Sequence, residues 1–243
     1  MNPTLELLGA HRTIRAYTDD PVQEKHVRAA VAAGQRASTS SAVQAYCLIR
    51  IRDARTRRQL VTLTGKQEKV ATAGAFFVVC GDTRRHRLAC EQEGAAYDAR
   101  LEAFLVAVID ATLFAQNVCV AFESLGYGIC YIGGLRNDLE AVDQLLELPE
   151  GVYPLYGLCV GRPAEDPLER PRLPLDAVLL EERYPDDATV LEQLAAHEEA
   201  IRAYYAERGS KGRTWTASLA RSLSAPRREA VAAYFARKGA DLR

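Results

Sequence analysis

The longest apolar stretch of the chain, LEAFLVAVIDATLFAQNVCVAFESLG at residues 101–126, limits the folds open to the rest of the sequence. It is interrupted by five polar side chains: Glu102, Asp110, Gln116, Asn117 and Glu123. A membrane-spanning helix needs about 20 mostly apolar residues with few charges, so this stretch does not indicate a membrane segment. The helical period extends over residues 97–126 and places apolar side chains on nearly all sides. This pattern predicts a long helix buried in the middle of the fold.

Four shorter segments have the pattern of strands. Residues 45–53 alternate between apolar and polar side chains, and three further segments are mainly apolar runs, at residues 74–82, 127–134 and 153–163. Helical patterns precede, separate and follow these strands. Because the helices cluster instead of strictly alternating with the strands, the sequence predicts an α+β fold.

The C-terminal part of the chain is predicted to be helical. Three helices are expected there, over residues 188–208, 214–223 and 226–238. Earlier in the chain, Asn137 is the expected N-cap of a helix over residues 138–148. The proline-rich residues 164–176 are expected to be extended and irregular.

Charge and length limit the classes of protein that fit. The 243 residues carry a formal net charge of −1, so overall charge predicts neither a nucleic-acid partner nor a membrane partner. From residue 202 onward there are ten Lys or Arg and three Asp or Glu, which indicates either solvated helix faces, the commoner case, or a site for an anion. Length alone allows one or two domains. We expect a single domain over residues 1–243, with a helical extension over about 188–243.

The cysteines and histidines do not indicate metal chemistry. Six cysteines lie apart with no CxxC spacing, at Cys47, Cys80, Cys90, Cys119, Cys130 and Cys159. Most have aliphatic neighbours, which is typical of buried reduced thiols in a cytoplasmic protein. The four histidines show no HExxH or paired spacing. The N-terminus also lacks a basic region followed by an apolar one, so no secretory signal is predicted and we expect a cytoplasmic protein.

The common phosphate-binding loops are absent from the sequence. The most glycine-rich stretch, GYGICYIGG, has its glycines at positions 126, 128, 133 and 134. This spacing is neither GxGxxG nor GxxxxGK[ST], which excludes the Rossmann and P-loop interpretations. Any nucleotide cofactor must be held in another way.

Two short cationic segments are candidate anion sites. The first, HRTIR, places His11, Arg12 and Arg15 within five positions, either as a solvated cluster, the commoner case, or as a phosphate site. The second is Arg170 and Arg172, separated by a proline. Alternate residues of an extended chain point the same way, so both guanidinium groups are expected on one side. They suit either an anion or the neighbouring acidic side chains equally well.

Uncharged polar residues add two weaker candidates. Thr39, Ser40 and Ser41 place hydroxyl groups in a row after a helix, which more often marks a loop that ends the helix. Gln67 can both donate and accept hydrogen bonds, as the edge of a heterocycle requires, but a single glutamine means little alone.

Taken in order, these segments resemble the nitroreductase family. The resemblance rests on TLELLGAHRTIRAYTDDPV, STSSAVQAYCLIRI, LVTLTGKQEKVA, AQNVCVAFESLGYGICYIGGLRNDLEAV and LYGLCVGRPAEDPLERPRLP, and extends to YYAERGSKGRTW. It is strongest to the larger, NADPH-preferring branch, which includes oxygen-insensitive NADPH nitroreductases and flavin reductases. It implies a homodimeric α+β flavoprotein with a mainly antiparallel central sheet wrapped by helices, a long core helix, and FMN bound at the dimer interface.

The resemblance also implies roles for particular residues. His11, Arg12, Thr13 and Arg15 match the segment that contacts the phosphate, ribityl chain and pyrimidine edge of FMN, and Gln67 matches a hydrogen-bond partner of the flavin ring. Tyr131, Gly133 and Gly134 match the segment that passes over the flavin ring, and Arg170 and Arg172 match a basic pair at the phosphate end. Thr39, Ser40 and Ser41 match a hydroxyl loop that the partner subunit is expected to contribute. Arg208 and Arg213 match residues that bind the 2′-phosphate of NADPH.

Three positions depart from the family pattern. Thr13 replaces a usual serine and keeps the hydroxyl, and Arg170 replaces a usual lysine and keeps the charge. The segment CEQEGAAYDAR at residues 90–100 is longer than in relatives. It lies towards the mouth of the active site in the family, so the substrate range is open.

The implied activity is two-electron, ping-pong hydride transfer from NADPH through FMN to nitroaromatic and quinone acceptors. No side-chain acid or base and no metal is required. The alternative acceptors are free flavin and metal oxyanions. The competing class is a non-catalytic protein that binds flavin or nucleic acid. If the chain is an enzyme, its expected partners are small-molecule acceptors and a second copy of the chain, and neither nucleic acid nor a membrane is expected.

Overall fold

The computed structural model describes residues 2–210 and 212–243. The chain divides into two compact units. The first contains the residues up to Pro167 together with Arg228–Arg243, and the second is Leu168–Arg227.

The first unit contains the sheet. Its strands are β1 (Tyr46–Ile51), β2 (Ala75–Asp82), β3 (Gly128–Ile132) and β4 (Val152–Gly161). Its helices are α1 (Pro3–Gly9), α2 (Glu24–Gly34), α3 (Ala54–Leu63), α4 (Lys69–Thr72), α5 (Arg84–Gln92), α6 (Leu101–Ser124), α7 (Leu139–Leu146) and α10 (Ala230–Arg237). The second unit contains α8 (Asp187–Glu207) and α9 (Trp215–Leu223). The four predicted strands and the three predicted C-terminal helices are confirmed.

The strands form one antiparallel sheet in the order β1-β2-β4-β3. Every residue of β2 is buried, as its continuous apolar run predicts. The sheet separates two apolar layers, because successive side chains of a strand point to opposite faces. Phe77 and Val79 belong to the layer that contains α6, while Phe76 and Val78 belong to the layer formed with α3, α4 and α7.

The long core helix is confirmed as α6, and the structure adds that one of its apolar faces is exposed. Phe114, Val118 and Phe122 are buried against the sheet. On another face, four large apolar side chains at intervals of four residues are 38–54% exposed: Leu101, Leu105, Ile109 and Leu113. By length and composition α6 is the one helix among the described residues that could cross a membrane, but it packs as a core helix.

The predicted N-cap of α7 is wrong by one residue. Asp138, not Asn137, caps the helix, because its carboxylate accepts a hydrogen bond from the Ala141 N–H at 3.0 Å. The Asn137 amide oxygen instead accepts a hydrogen bond from the Arg228 guanidinium at 3.1 Å. Two cap-forming residues stand side by side in the sequence, and the tertiary contact with Arg228 decides between them.

In the second unit, a buried carboxylate joins the two helices. Glu198 on α8 accepts hydrogen bonds from the backbone N–H groups of Trp215 and Thr216, at 3.1 and 3.0 Å. Burial by itself would raise the pKa of Glu198, but these bonds outweigh that effect and lower it. A charged carboxylate therefore holds the start of α9 against α8, where the helix dipole favours negative charge.

Candidate functional site

The cationic HRTIR segment lies beside the edge strand β3. The Ile14 N–H donates to the Ile129 carbonyl at 3.0 Å, and Thr13 pairs with Ile129 in a parallel bridge. Gly128 makes this approach feasible, because a Cβ atom there would overlap the Ile14 side chain. The sequence therefore folds the cationic segment as an added strand along the first residues of β3.

Two carboxylates from distant parts of the chain hold this segment. The Glu123 carboxylate lies 2.6 Å from Nδ1 of His11, and the Glu165 carboxylate accepts hydrogen bonds from the backbone N–H groups of Arg15 and Ala16. The Arg12 guanidinium donates to the His11 carbonyl at 2.9 Å. Part of the positive charge that the sequence concentrates here is therefore balanced within the protein.

A cavity of about 430 Å³ opens beside this segment. Its lining includes His11 and Arg12 from the segment, Tyr127 and Gly128 at the start of β3, and Glu123 from α6. Glu165 and Asp166 line it as well, so the cavity presents both cationic and acidic groups to a ligand.

Gln67 and Gly134 meet at the opposite end of β3. The Gln67 amide nitrogen donates to the Thr64 carbonyl at 2.8 Å. A Cβ atom on Gly134 would overlap both the Gln67 amide and that carbonyl, so this position requires glycine. With its nitrogen bound to Thr64, the Gln67 side chain has its amide oxygen available to accept a hydrogen bond at the end of the strand.

Tyr131 lies between these two ends and is partly exposed. Its hydroxyl accepts a hydrogen bond from the Cys119 thiol at 3.2 Å and donates to the Gln116 amide oxygen at 3.4 Å. Its ring packs edge-on against Tyr156 at 5.3 Å. Burial raises the pKa of the Tyr131 phenol, so the group is neutral at ordinary pH. Its two hydrogen bonds hold the ring in place at the middle of the site.

The hydroxyl loop, residues 38–44, is anchored to the core helix by Asp110. This buried carboxylate accepts hydrogen bonds from the Thr39 hydroxyl at 2.6 Å and from the backbone N–H groups of Ser40 and Ala45 at 3.0 and 3.1 Å. The Thr39 hydroxyl in turn accepts from the Gln44 N–H at 2.8 Å. The Thr39 hydroxyl is thus engaged within the loop, whereas Ser40 and Ser41 are exposed.

Backbone conformation adds to the constraint on the hydroxyl loop. Ser41, Ala42 and Gln44 all have positive φ, between 46° and 57°, although none is glycine. Non-glycine residues in the left-handed region each cost about 1–3 kcal/mol and persist where the surrounding structure enforces them. The hydrogen bonds to Asp110 supply this enforcement.

In the second unit, the four predicted arginines contact nearby backbone or tyrosine side chains. One Arg172 guanidinium nitrogen donates to the Arg170 carbonyl at 3.0 Å within an exposed, extended segment. Arg208 donates to the Tyr204 hydroxyl at 2.8 Å and lies 5.5 Å from that ring, and Arg213 lies 5.1 Å from the Tyr205 ring. Adjacent tyrosines therefore position two guanidinium groups.

Reasoning from the sequence missed the acidic partners. Asp110 and Glu123 were visible there as polar interruptions of the apolar stretch 101–126. A carboxylate inside an apolar helix needs a partner, which could have marked both residues. The partner residues themselves lie about 70 to 112 positions away, so no local pattern identifies them.

Among the described residues there is no group of three or more side chains that could hold a metal ion. The fold and site together define an α+β protein whose edge strand has cationic groups at one end and a glutamine amide at the other. Its antiparallel sheet, central helix and cationic N-terminal segment are those expected from the resemblance to the nitroreductase family.

The chain belongs to the nitroreductase family. The model of the nitroreductase family matches residues 8–162, and that of the family's C-terminal domain matches residues 170–243. The chain is 42% identical to an oxygen-insensitive NADPH nitroreductase of Salmonella typhimurium and 39% identical to an FMN reductase (NADPH) of Bacillus subtilis, in both cases over 98% of each chain. Its fold matches the structure of NfrA1 from B. megaterium with a TM-score of 0.95 and 44% identity, covering 98% of this chain and 99% of the other.

Proposed function

We propose that this chain is an FMN-dependent oxidoreductase that transfers two electrons at a time from NADPH to nitroaromatic and quinone acceptors. The observation that carries the proposal is the placement of two kinds of group along β3. A cationic segment lies at its start, and the contact between Gln67 and Gly134 lies past its end. Five residues of strand span about 17 Å, which suits an elongated ligand that reaches from the cationic segment to Gln67.

The residues of the first unit fit FMN. His11, Arg12 and Arg15 would hold the phosphate and the charged edge of the ring, because guanidinium forks match phosphate oxygens. Gln67 would hydrogen-bond the ring, and Gly134 permits the close contact that holds the Gln67 amide at the end of the strand. Bound FMN supplies the hydride chemistry, while the protein supplies binding, orientation and electrostatics.

The cationic side chains have a second role in this proposal. Positive charge placed in advance near a group that becomes anionic stabilises the charged form without reorganisation. The Glu123 and Glu165 carboxylates fix the segment at its side chain and its backbone, so its cations are held in place before any ligand arrives. The two-electron-reduced state of the cofactor is favoured as a result.

For NADPH, Arg208 and Arg213 are the proposed contacts of the 2′-phosphate. Each guanidinium group rests on a tyrosine ring of α8, which reduces the conformational entropy that binding would otherwise cost. The predicted roles of Arg170 and Arg172 towards FMN stay predictions, as does the contribution of Thr39, Ser40 and Ser41 from a partner subunit.

The exposed apolar face of α6 supports a homodimer. Leu101, Leu105, Ile109 and Leu113 form a continuous stripe along the helix. A contiguous apolar patch of this kind on a chain's surface marks an interaction site, and two-fold symmetry is the commonest arrangement for identical chains. We propose that two copies bury this stripe against each other.

Purified protein tests the proposal directly. The protein should be yellow with bound FMN and should oxidise NADPH when nitrofurazone is added. Arg12→Ala should weaken FMN binding about 10- to 100-fold, which corresponds to the loss of a charge-assisted contact. Arg28→Ala, which removes an exposed arginine on α2, is the matched control and should leave FMN binding unchanged. A colourless protein after reconstitution, with strongly salt-dependent DNA affinity, would favour the binding-protein class instead.

A flavin reductase is the second candidate. It is favoured by the near-equal identity to a relative named FMN reductase (NADPH). Turnover with nitrofurazone, a benzoquinone, chromate and free FMN at equal NADPH concentration would rank the acceptors. A much higher kcat/KM for free FMN than for the other three would replace the primary proposal.

A further inference from the structure

Four of the six cysteines form two directly opposed pairs in the sheet. Cys47 on β1 faces Cys80 on β2, and Cys130 on β3 faces Cys159 on β4. All four thiols are free, and all four side chains contact the apolar layer that contains α3, α4 and α7. The two pairs have the same backbone relationship but different surroundings.

The register of the first pair suits a disulfide. Directly opposed residues of antiparallel strands have Cα atoms about 4.5–5.5 Å apart, within the range of about 4.4–6.8 Å that a disulfide spans. The side chains of Cys47 and Cys80 lie on the same face of the sheet and are close enough for each thiol to shift the pKa of the other. The spacing of the two strands therefore suits a bond between the sulfur atoms.

Exposure and charge separate the two pairs. Cys47 is partly exposed, and the neighbouring Cys80 thiol together with the Arg85 guanidinium lowers its pKa, although burial and the Asp82 carboxylate act in the opposite direction. Cys130 and Cys159 are both buried, and burial raises the pKa of each thiol. Because the thiolate is the reactive form of cysteine, the first pair contains a thiol that an oxidant can reach and that ionises more easily.

We propose that Cys47 and Cys80 form a reversible disulfide site that responds to hydrogen peroxide. The Cys47 thiolate attacks one peroxide oxygen, the O–O bond breaks, and sulfenic acid forms while the departing hydroxide takes up a proton as water. The Cys80 thiol then attacks the Cys47 sulfur, the S–O bond breaks, and the departing hydroxide leaves with the Cys80 proton as a second water. Two electrons pass from the two sulfur atoms to the peroxide, and a dithiol reductant reverses the change.

The bridge would change the stability of the protein in a measurable way. It would join β1 to β2 and close the segment of chain that contains α3 and α4. Such a cross-link restricts the unfolded chain, so the oxidised protein should unfold at a higher denaturant concentration than the reduced protein. This site does not rest on the proposed function, since it requires neither FMN nor NADPH.

The test is a non-reducing peptide map of the full chain after treatment with hydrogen peroxide. We expect a linked peptide containing Cys47 and Cys80, about 2 Da lighter than the sum of its parts, which disappears after dithiothreitol. Cys130→Ser is the matched control and should leave that linkage intact. Cys80→Ser should instead leave a sulfenic acid on Cys47 that dimedone traps.

Other outcomes would overturn the proposal. These are a Cys130–Cys159 linkage in place of the expected one, a link between two chains, or further oxidation of Cys47 with Cys80 still reduced. If a serine variant fails to fold, the peptide map of the unaltered chain decides between these results.

Discussion

The anchoring of the hydroxyl loop by Asp110 leads to a quantitative prediction for Asp110→Asn. In its better orientation, the amide oxygen replaces the carboxylate oxygen that accepts from Thr39 and Ala45, and those two bonds are kept in neutral form. The amide NH₂ then faces the Ser40 N–H, so the third bond is lost and a donor is left without its partner.

The magnitude follows from these three bonds. A hydrogen bond to a charged group contributes about 1.5–3 kcal/mol, and charge roughly doubles the strength of a bond, so the kept pair is weakened as well. Relief of the desolvation of the buried carboxylate offsets part of the loss. We expect the free energy of unfolding to fall by about 2 kcal/mol, a change that mutational studies detect easily.

Urea unfolding followed by circular dichroism measures this change. Asp98→Asn is the matched control, because it replaces an exposed aspartate whose hydrogen bonds within the described residues are to Arg100, and it should shift the midpoint much less. Thr39→Val removes the same contact from the other side, and the double variant with Asp110→Asn should destabilise less than the two single variants summed. An unchanged midpoint for Asp110→Asn, or strict additivity in the cycle, would refute the anchoring role.

Three further predictions concern other parts of the structure. Gly134→Ala should lower the free energy of unfolding by about 1–3 kcal/mol and weaken FMN binding, because the new methyl group displaces Gln67. Urea unfolding and flavin titration measure the two effects. Gly9→Ala is the control and should change neither, because a methyl group at Gly9 has no neighbour within 4 Å. The stabilising contribution of Glu198 is present above the ordinary glutamate pKa and is lost as pH falls through its lowered folded-state pKa. Glu198→Gln should therefore flatten the decline in stability as pH falls below the ordinary glutamate pKa. Arg208→Ala should raise the KM for NADPH and leave that for NADH unchanged; equal changes for both would contradict its assignment to the 2′-phosphate.

Much of the secondary structure could be predicted from local pattern. The helical period over residues 97–126 locates α6 to within a few residues, and the apolar runs locate the strands. Helix α5 was not predicted, because its segment RRHRLACEQ is mainly charged and polar and contains few apolar side chains. Local patterns depend on the spacing of apolar side chains, so they identify elements that contain enough of them.

The candidate site could be predicted in outline only by resemblance. For the cations of HRTIR, the residues themselves favoured a solvated cluster over a phosphate site. The structure adds that the Glu123 and Glu165 carboxylates fix this segment beside β3. It also shows that Thr39, predicted as a cofactor contact, already directs its hydroxyl to Asp110.

By itself, then, the amino-acid order determined most of the helices, the four strands and the family. Those properties depend on hydrophobic periods and motifs that extend over a few residues. The tertiary structure alone decided which carboxylate meets which cation, which face of α6 is left exposed, and which cysteines face each other across the sheet. Such contacts join residues far apart in the chain, and sheet order and register, which no single segment encodes, bring them together.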